Sequence, residues 1–462
     1  MSTLVQQTLT RNSTTFNGMA THTTSFNKCL DLFYLAGGSR YMDSEDIHKI
    51  FSAAYGENPV LALRILFWAR DIRGGAGERK FFRECLSYLS AKDKTTASKI
   101  MSLIPEYGRY DDLFYGVEDE AIQIIKIALQ AGESLCAKWM PRKGNRANIL
   151  RKSLGLTPKE YRKLLVKLTN VVETKMCSQE FNKIQYSHVP SKAFAKYRNA
   201  FRRKDEKRFE SFLEDVKSGD EKINASAIFP NDIIKPYLGY RSKQDDAITQ
   251  QWNSLPNYME DSKQRILPVC DVSGSMSGLP MEVSVSLGLY ISERNEGIFK
   301  DAFITFSGNP TMQYLKGDIH DRCIQLESAD WGMNTDIQKT FELILDSAIR
   351  ANVPNEEMPT QILIISDMEF DQCTSYDLTA EEMIKHQFHN AGYEMPGIVF
   401  WNVNGRAGNI PAKADTSNTA LVSGFSPSIL TSLLSDKIDT PLQVMLNTVN
   451  SERYDSIEEK VK

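Results

Sequence analysis

Residues 266–276, ILPVCDVSGSM, join a short apolar run to a polar turn. An apolar run that ends at turn-forming residues predicts a buried strand. Asp271 ends the run, and Ser273 and Ser275 follow at alternate positions, with Gly274 allowing a tight bend between them. An extended backbone would aim these three oxygen-bearing side chains at one point. The same letters also suit an ordinary strand that runs into a polar turn, so the rest of the chain decides between the two interpretations.

The sequence around this stretch, residues 263–436, alternates apolar runs with amphipathic segments. Strands are predicted at RILPVCDVS, KDAFITFS, TQILIISDMEF, MPGIVFWNVNG and TALVSGF, and helices at PMEVSVSLGLYISERN, DIQKTFELILDSAIRAN, LTAEEMIKHQFHNAG and SPSILTSLLSD. This alternation predicts an open, mainly parallel, doubly wound sheet of the Rossmann-like class. Ligands bind such sheets at the carboxyl ends of the strands, where Asp271 would lie.

Residues 41–240 show a different pattern, with apolar residues at i, i+3 and i+4 spacing in consecutive segments. We expect a helical-repeat-like domain here, similar to HEAT arrays, although the sequence has no clean internal period. The remaining segments are predicted as a flexible or leading segment (1–40), a polar connector (241–262), the sheet domain described above (263–436) and a C-terminal helical tail (437–462).

Two further stretches of the sequence contain oxygen-bearing residues that could lie beside the polar turn. ADWGMNTDIQKTFELIL places Thr335 in a loop just before a helix, and ILIISDMEF ends a strand on Asp367. With Asp271, Ser273 and Ser275, these residues resemble the metal-ion-dependent adhesion site of von Willebrand factor A domains in order and in predicted position. The resemblance implies one Mg²⁺, or Mn²⁺ or Ca²⁺, among hydroxyls and carboxylates, with a coordination position left open for a partner's oxygen.

Two positions depart from that family's pattern. Met368 follows Asp367 where glycine is commoner, and the threonine loop reads Gly-Met-Asn-Thr where many members have Gly-Gly-Thr. These differences affect the expected loop geometry more than the identity of the ligands. A loop of the same shape without a metal is the alternative.

The charge of the chain is unevenly distributed. All 462 residues together have a formal net charge of −4, but residues 138–208 hold 20 Lys and Arg against 5 Asp and Glu. This local net charge of +15 leaves −19 for the remainder. Aromatic residues lie among the cations, at Trp139, Tyr161, Phe181, Tyr186, Phe194, Tyr197 and Phe201. The combination suits phosphate neutralisation and stacking on unpaired bases, unless the aromatics form helix cores and the cations a solvated face.

A glycine-rich loop, ARDIRGGAGERKFF at residues 69–82, adds further cations. It lacks the Gly-Lys-Ser/Thr ending of a P-loop, so nucleotide binding is not indicated. A tight turn between helices explains its glycines and would crowd its cations at one corner, where an anion could bind. The candidate RNA-binding residues of the chain are Arg70, Arg73, Arg79, Lys80, Lys138, Arg142, Lys143, Arg202, Arg203 and Lys204.

Other features restrict the function. The seven cysteines include no CxxC pair, which argues against a zinc site or a disulfide framework. The sequence has no secretory signal and no run of roughly 18 apolar residues, so we expect a cytoplasmic protein without a membrane span. The sequence shows no nucleophile with an adjacent base and lacks the extra carboxylates of a two-metal centre, so we do not expect an enzyme.

A second resemblance covers nearly the whole chain. The stretches RDIRGGAGER, IPEYGRYDDL, SLCAKWMPRKG, MCSQEFNKIQYSHVPSKAFAKYRNAFRRKDEKRFESFL and DVSGSM resemble the DUF2828-type family of plants, fungi, large DNA viruses and phages. That family looks distantly similar to Ro ribonucleoproteins with TROVE domains. The resemblance implies a non-enzymatic RNA-binding protein, in which the helical domain holds RNA and the A domain holds a cation. The alternative is a scaffold whose metal captures an acidic residue of a protein partner.

Overall fold

The structure is a computed structural model that describes residues 13–239, 242–260, 262–306, 310–327, 335–372, 378–405, 408–434 and 438–462. Within these ranges the α-helices are α1 (Lys28–Ala36), α2 (Ser44–Glu57), α3 (Pro59–Arg70), α4 (Arg79–Lys92), α5 (Lys94–Ile100), α6 (Ile104–Tyr107), α7 (Glu118–Gln130), α8 (Ser134–Trp139), α9 (Gly144–Ser153), α10 (Pro158–Leu168), α11 (Val172–Cys177), α12 (Ser191–Lys204), α13 (Glu206–Ser218), α14 (Pro230–Ile234), α15 (Asp246–Asn253), α16 (Leu279–Arg294), α17 (Ile319–Glu327), α18 (Ile337–Ala351), α19 (Ala380–Ala391), α20 (Pro441–Val449) and α21 (Asp455–Val461).

The strands form a small hairpin and one larger sheet. The hairpin pairs β1 (Ser13–Thr14) with β2 (Ala20–Thr21), and the sheet contains β3 (Ile266–Asp271), β4 (Ala302–Phe306), β5 (Thr311–Tyr314), β6 (Gln361–Ser366), β7 (Gly397–Asn402) and β8 (Thr419–Ser423). The order in the sheet is β5-β4-β3-β6-β7-β8, and every neighbouring pair is parallel except the antiparallel β4 and β5. The prediction of a helical part followed by a mainly parallel sheet is confirmed.

The central strands are buried along their whole length. Every residue of β3, β6, β7 and β8 is buried, as expected for parallel strands that are covered on both faces. The strand order reverses between β3 and β6, because β4 lies on one side of β3 and β6 lies on the other. The carboxyl ends of two strands at such a reversal border a crevice where ligands bind in open sheets of this type.

The segment predicted as a flexible or entry segment, residues 1–40, contains a buried helix. Residues 1–12 lie outside the described residues, but α1 packs against α2 and β8, and its apolar side chains join the main core. The backbone N–H of Gly37 donates to Ser423 Oγ at 2.9 Å. A Cβ at Gly37 would overlap the backbone of Ser423, so the close approach requires glycine.

The C-terminal helices return to the helical region. α20 packs against β8 and α1, and α21 packs against α3 and α5. Arg64 of α3 reaches both Asp455 at 3.0 Å and Glu458 at 2.8 Å in α21. The segment predicted as a connector likewise contains α15, which packs against α13 and α14. The main hydrophobic core therefore extends from the first helices into the sheet, and a second, smaller core lies among α11, α12 and α13.

Candidate functional site

Asp271 lies at the carboxyl end of β3 and is fully buried. Its Oδ1 accepts a hydrogen bond from the backbone N–H of Ser273 at 2.9 Å, and its Oδ2 accepts one from the hydroxyl of Ser366 at 2.7 Å. Burial, together with repulsion from Asp367, raises the pKa of the Asp271 carboxyl above its ordinary value. Two neighbouring carboxylates with little contact with water repel each other, and either a proton on one of them or a cation between them relieves that repulsion.

The polar turn supplies two hydroxyls beside Asp271. Ser273 is buried and Ser275 is exposed, and their Oγ atoms are 3.1 Å apart. Ser275 belongs to a 3₁₀ turn, Gly274–Met276, which begins directly after Ser273 and precedes α16 in the chain. The Ser273 hydroxyl thus lies inside the protein, and the Ser275 hydroxyl lies at the surface. An ion-binding loop that is open to solvent on one side would have this arrangement.

Thr335 and Asp367 reach the same edge of the sheet from other loops. Asp367 follows β6, the neighbour of β3, and its Oδ1 accepts from the backbone N–H of Glu369 at 3.2 Å. The backbone N–H and the hydroxyl of Thr335 donate to the two carboxylate oxygens of Asp371, at 3.0 and 3.1 Å. Residues 328–334, which include most of the threonine loop, lie outside the described residues.

Met368 has the left-handed backbone conformation that glycine favours, with φ of 65°. Its side chain is almost completely buried among the core residues. Met368 therefore has a backbone conformation that glycine would adopt without a steric cost. The buried apolar side chain offsets the steric cost of the left-handed conformation, which is about 1–2 kcal/mol.

The donor set of this edge fits a hard cation. Hydroxyl and carboxylate oxygens are the ligands that Mg²⁺ prefers, and Mg²⁺ usually keeps several waters. Among the described residues, no group of three or more His, Cys, Asp or Glu side chains is arranged to hold a metal. Any cation here would therefore depend on the three hydroxyls as well as on Asp271 and Asp367.

A further residue at this edge, Asn17, comes from the N-terminal hairpin. Its Nδ2 donates to Thr335 Oγ1 at 2.8 Å and to the backbone carbonyl of Glu369 at 2.7 Å. The backbone N–H of Phe16 donates to the Glu369 carboxylate at 2.6 Å, while the Phe16 side chain is 94% exposed. Sequence reasoning missed Asn17, Glu369 and Asp371, because no local pattern indicates that a residue near the N-terminus lies beside Thr335.

The helical region contains a cavity of about 1150 Å³ that is rich in cations. We call it the basic cleft. The cationic residues that line it are Arg40, Arg70, Arg73, Arg79, Lys80, Arg83, Arg109, Lys138, Lys192 and Lys196, against the carboxylates of Glu78, Glu84 and Glu173. Its wall includes the glycine-rich loop, where a Cβ at Gly75 would overlap the carbonyl oxygen of Trp68. The loop therefore makes the tight turn that its glycines predict.

Two aspartates organise the arginines of the basic cleft. Asp112 is fully buried and pairs with Arg70 at 2.8 Å and with Arg83 at 2.6 Å. Asp111 pairs with Arg83 at 2.8 Å and with Arg109 at 2.7 Å. Arg79 has no carboxylate partner among the described residues, and burial together with repulsion from Arg109, Arg83 and Arg70 lowers the pKa of its guanidinium. The cluster thus carries uncompensated positive charge.

Two half-buried aromatic side chains also line the basic cleft. The Arg109 guanidinium lies 3.7 Å from the ring centroid of Trp139, and Lys196 lies 5.1 Å from that of Tyr197. The other aromatics of the basic segment are buried in helix cores, which corrects their proposed role in base stacking: Tyr161, Phe181, Tyr186, Phe194 and Phe201. The alternative interpretation, that they are core residues, is right for these five.

The predicted RNA-binding residues divide into two groups. Those that line the basic cleft are Arg70, Arg73, Arg79, Lys80 and Lys138. Those that lie elsewhere are Arg142, Lys143, Arg202, Arg203 and Lys204, of which all but the partly buried Arg202 are exposed. Arg202 pairs with Glu210 at 2.6 Å and with Asp245 at 3.0 Å, so its charge is already compensated.

The pairing of Arg70 with the buried Asp112 gives that arginine a structural role. Arg40, Arg83, Arg109 and Lys196 are cleft residues that the sequence did not single out. Their positions depend on the packing of separate helices rather than on a local cluster of cations.

These features define a protein in which a helical region with a basic cleft precedes a mixed, mainly parallel sheet with hydroxyl and carboxylate side chains at the reversal of its strand order. The chain belongs to the family described as a domain of unknown function, DUF2828, which matches residues 15–118 and 140–264. Residues 265–462 match a second domain of unknown function, DUF7788. Among the described residues, no helix is long and apolar enough to cross a membrane.

Two individual proteins are similar to the chain. The uncharacterized protein L728 of Acanthamoeba polyphaga mimivirus is 29% identical over 500 residues, which cover 95% of this chain and 87% of the viral protein. The crystal structure of the RO (RSR) protein of Deinococcus radiodurans aligns with a TM-score of 0.37 and 12% identity, over 93% of this chain and 100% of that one. At so low a TM-score and identity, no function is inferred from the second similarity.

Proposed function

We propose that this protein is a non-enzymatic RNA-binding protein that holds RNA in the basic cleft. The observation that carries the proposal is that ten cationic side chains and three carboxylates line one cavity, although Asp111, Asp112 and Asp232 behind its wall pair with four of those cations. Several of the cations, including Arg73, Arg79 and Lys196, have no carboxylate partner among the described residues. Neutralisation of RNA phosphates by such cations releases counterions, which supplies affinity that falls with salt.

The side chains that line the cleft favour an unpaired strand, because aromatic rings lie among its cations. Trp139 and Tyr197 are half-buried at its wall, each beside a cation, and single-stranded nucleic acids bind by stacking bases on aromatic rings between cationic contacts. We therefore expect single-stranded RNA to bind more tightly than a duplex of the same sequence.

The sheet domain is proposed to be of the von Willebrand A type and to hold one divalent cation. Ser273, Ser275 and Thr335 would act with Asp271 and Asp367, either directly or through water, with Mg²⁺ as the preferred ion. A bound cation would offset the repulsion between the two carboxylates and leave one coordination position for an oxygen from a partner. The burial of Asp271 next to Asp367 supports this proposal.

An electrophoretic mobility shift with single-stranded and duplex RNA at low salt tests the RNA proposal. Arg79→Glu should weaken binding strongly, because it reverses a charge inside the cleft. Lys300→Glu is the matched control, since Lys300 is an exposed cation of the sheet domain and the charge change is the same. Absence of binding by the wild type, or an equal loss in both variants, contradicts the proposal. A comparable loss of RNA affinity in Arg203→Glu would mean that the RNA-binding surface extends from the cleft to α12.

A second candidate function is capture of an acidic protein partner by the cation. The observation that favours it is that Phe16, whose side chain is 94% exposed, is held by its backbone N–H on Glu369, two residues from the proposed ligand Asp367. The ring would contribute to an interface only together with apolar groups of the partner. Chelation separates the two functions, because it would abolish capture of the partner but leave most of the RNA affinity in the cleft.

A further inference from the structure

We infer that the arginine cluster of the basic cleft binds a doubly charged phosphomonoester, and that the RNA held there is one with a terminal phosphate. The cluster consists of Arg70, Arg79, Arg83 and Arg109 with Asp111 and Asp112. The inference rests on the proposed RNA-binding function and adds the chemical class of the ligand.

The aspartates fix three of the four guanidiniums. Arg70 Nε and Arg83 Nε both donate to the buried Asp112 carboxylate, at 2.8 and 2.6 Å. Asp111 accepts from Arg83 and from Arg109, at 2.8 and 2.7 Å. Fixed guanidiniums lose little freedom when they bind an anion, and their planar donors match the oxygens of a phosphate.

Ring contacts orient two of the fixed guanidiniums further. Arg83 lies 4.6 Å from the ring centroid of Tyr115, and Arg109 lies 3.7 Å from that of Trp139. Both rings belong to the wall of the cleft. The cluster is therefore organised before any ligand arrives, which lowers the cost of binding.

The charge of the cluster matches a dianion. Four guanidiniums and two carboxylates leave a net charge of +2, while the nearby Glu78 is compensated by Arg40 at 2.8 Å. An internal phosphodiester carries one negative charge and would leave part of this charge uncompensated. A phosphomonoester carries about −1.5 to −2 at pH 7. The fourth guanidinium, Arg79, is the one without a carboxylate partner among the described residues, so it is free to meet the ligand.

The start of α4 adds to the positive potential. α4 begins at Arg79, and its N-cap residue Glu78 makes no side-chain hydrogen bond to the first turn. Both residues, with Gly77 and Lys80, line the cleft. The free N–H groups at a helix N-terminus favour anions, and here they accompany the guanidinium cluster rather than form a site alone.

Calorimetry with one short single-stranded RNA in three forms tests the inference: with a 5′-phosphate, with a 3′-phosphate, and with hydroxyls at both ends. We expect at least one phosphorylated form to bind about tenfold more tightly than the hydroxyl form, because charge-assisted pairs are added. The preference should shrink between about pH 7.5 and about pH 5.5, since the second ionisation of the phosphate lies near pH 6.

Arg79→Gln should abolish the preference for a terminal phosphate while single-stranded RNA still binds. The variant should fold, because Arg79 is exposed and makes no ion pair with a described residue. Arg203→Gln is the control, since Arg203 is an exposed arginine outside the cleft and the same charge is removed. Retention of the preference in Arg79→Gln, or its loss in Arg203→Gln, overturns the inference.

The remaining outcomes separate the ligand class from the proposed function. Equal affinity for all three RNAs overturns the phosphomonoester inference and leaves RNA binding in place. Binding of inorganic phosphate or a nucleoside monophosphate that depends on Arg79, without binding of any RNA, supports the phosphomonoester site and contradicts the RNA function. Absence of binding by every one of these anions contradicts both.

Discussion

Asp112 is the residue whose substitution we expect to destabilise the basic cleft most. It is fully buried, it accepts from Arg70 Nε and Arg83 Nε, and it also accepts from the backbone N–H of Arg109 at 2.9 Å. Asp112→Asn keeps the size of the side chain but removes the charge that compensates two guanidiniums. Removing one partner of a buried ion pair costs about 3–5 kcal/mol. Because the Arg83 side chain keeps 17% of its surface exposed at the cleft, we expect the lower end, about 3 kcal/mol.

Chemical denaturation of the wild type and two variants measures this loss. Asp111→Asn is the control, since Asp111 also pairs with two arginines but its side chain is 22% exposed. Ion pairs contribute less as they become exposed, down to less than about 1 kcal/mol at the surface, so the partly exposed control should lose less of its free energy of unfolding than Asp112→Asn. An equal loss in the two variants, or a loss below about 1 kcal/mol for Asp112→Asn, would refute the reasoning.

The other predictions concern the metal site, the hairpin and the second core. Magnesium should raise the Tm of the wild type and give heat in calorimetry, but do neither with Asp271→Ala, because a ligand stabilises only the form that binds it; equal heat would disprove the site. Asn17→Ala should weaken the calorimetric magnesium affinity by about tenfold, as substitution of residues that orient metal ligands does; unchanged affinity would contradict this. Burial alone would raise the pKa of Asp245, but hydrogen bonds from Arg202 and Arg198 outweigh it and lower that pKa below the ordinary value of 3.8. Its stabilisation is therefore complete above about pH 4 and lost as pH falls further; acid titration of unfolding should show a smaller loss for Asp245→Asn, whereas a curve unchanged from wild type would refute the assignment.

The sequence predicts the sheet because its strands carry the signal in their own residues. The apolar runs that end at Asp271 and Asp367 are buried throughout, and the reversal of the strand order brings their carboxyl ends side by side. In the helical part, the sequence does not predict which surface cations are free to bind a ligand. Its cations are visible in the sequence, but whether an arginine is free depends on the helix that packs against it. Arg202 meets Asp245, 43 residues away, whereas Arg79 meets no carboxylate in the described part of the chain.

The N-terminal segment, residues 13–41, shows why the boundary between a leading segment and two domains could not be drawn from patterns. At one end Asn17 donates to Thr335 at the proposed metal site, and at the other Arg40 pairs with Glu78 in the basic cleft. Between them, the carbonyl of Gly38 accepts from the backbone N–H of Gly405 at 2.9 Å, just beyond β7. Within this segment α1 packs on the neighbouring α2, but the contacts of Asn17 and Gly38 are with residues more than 300 positions away in sequence. No pattern within the segment indicates those distant partners, so the sequence could not show that it joins the helical region to the sheet.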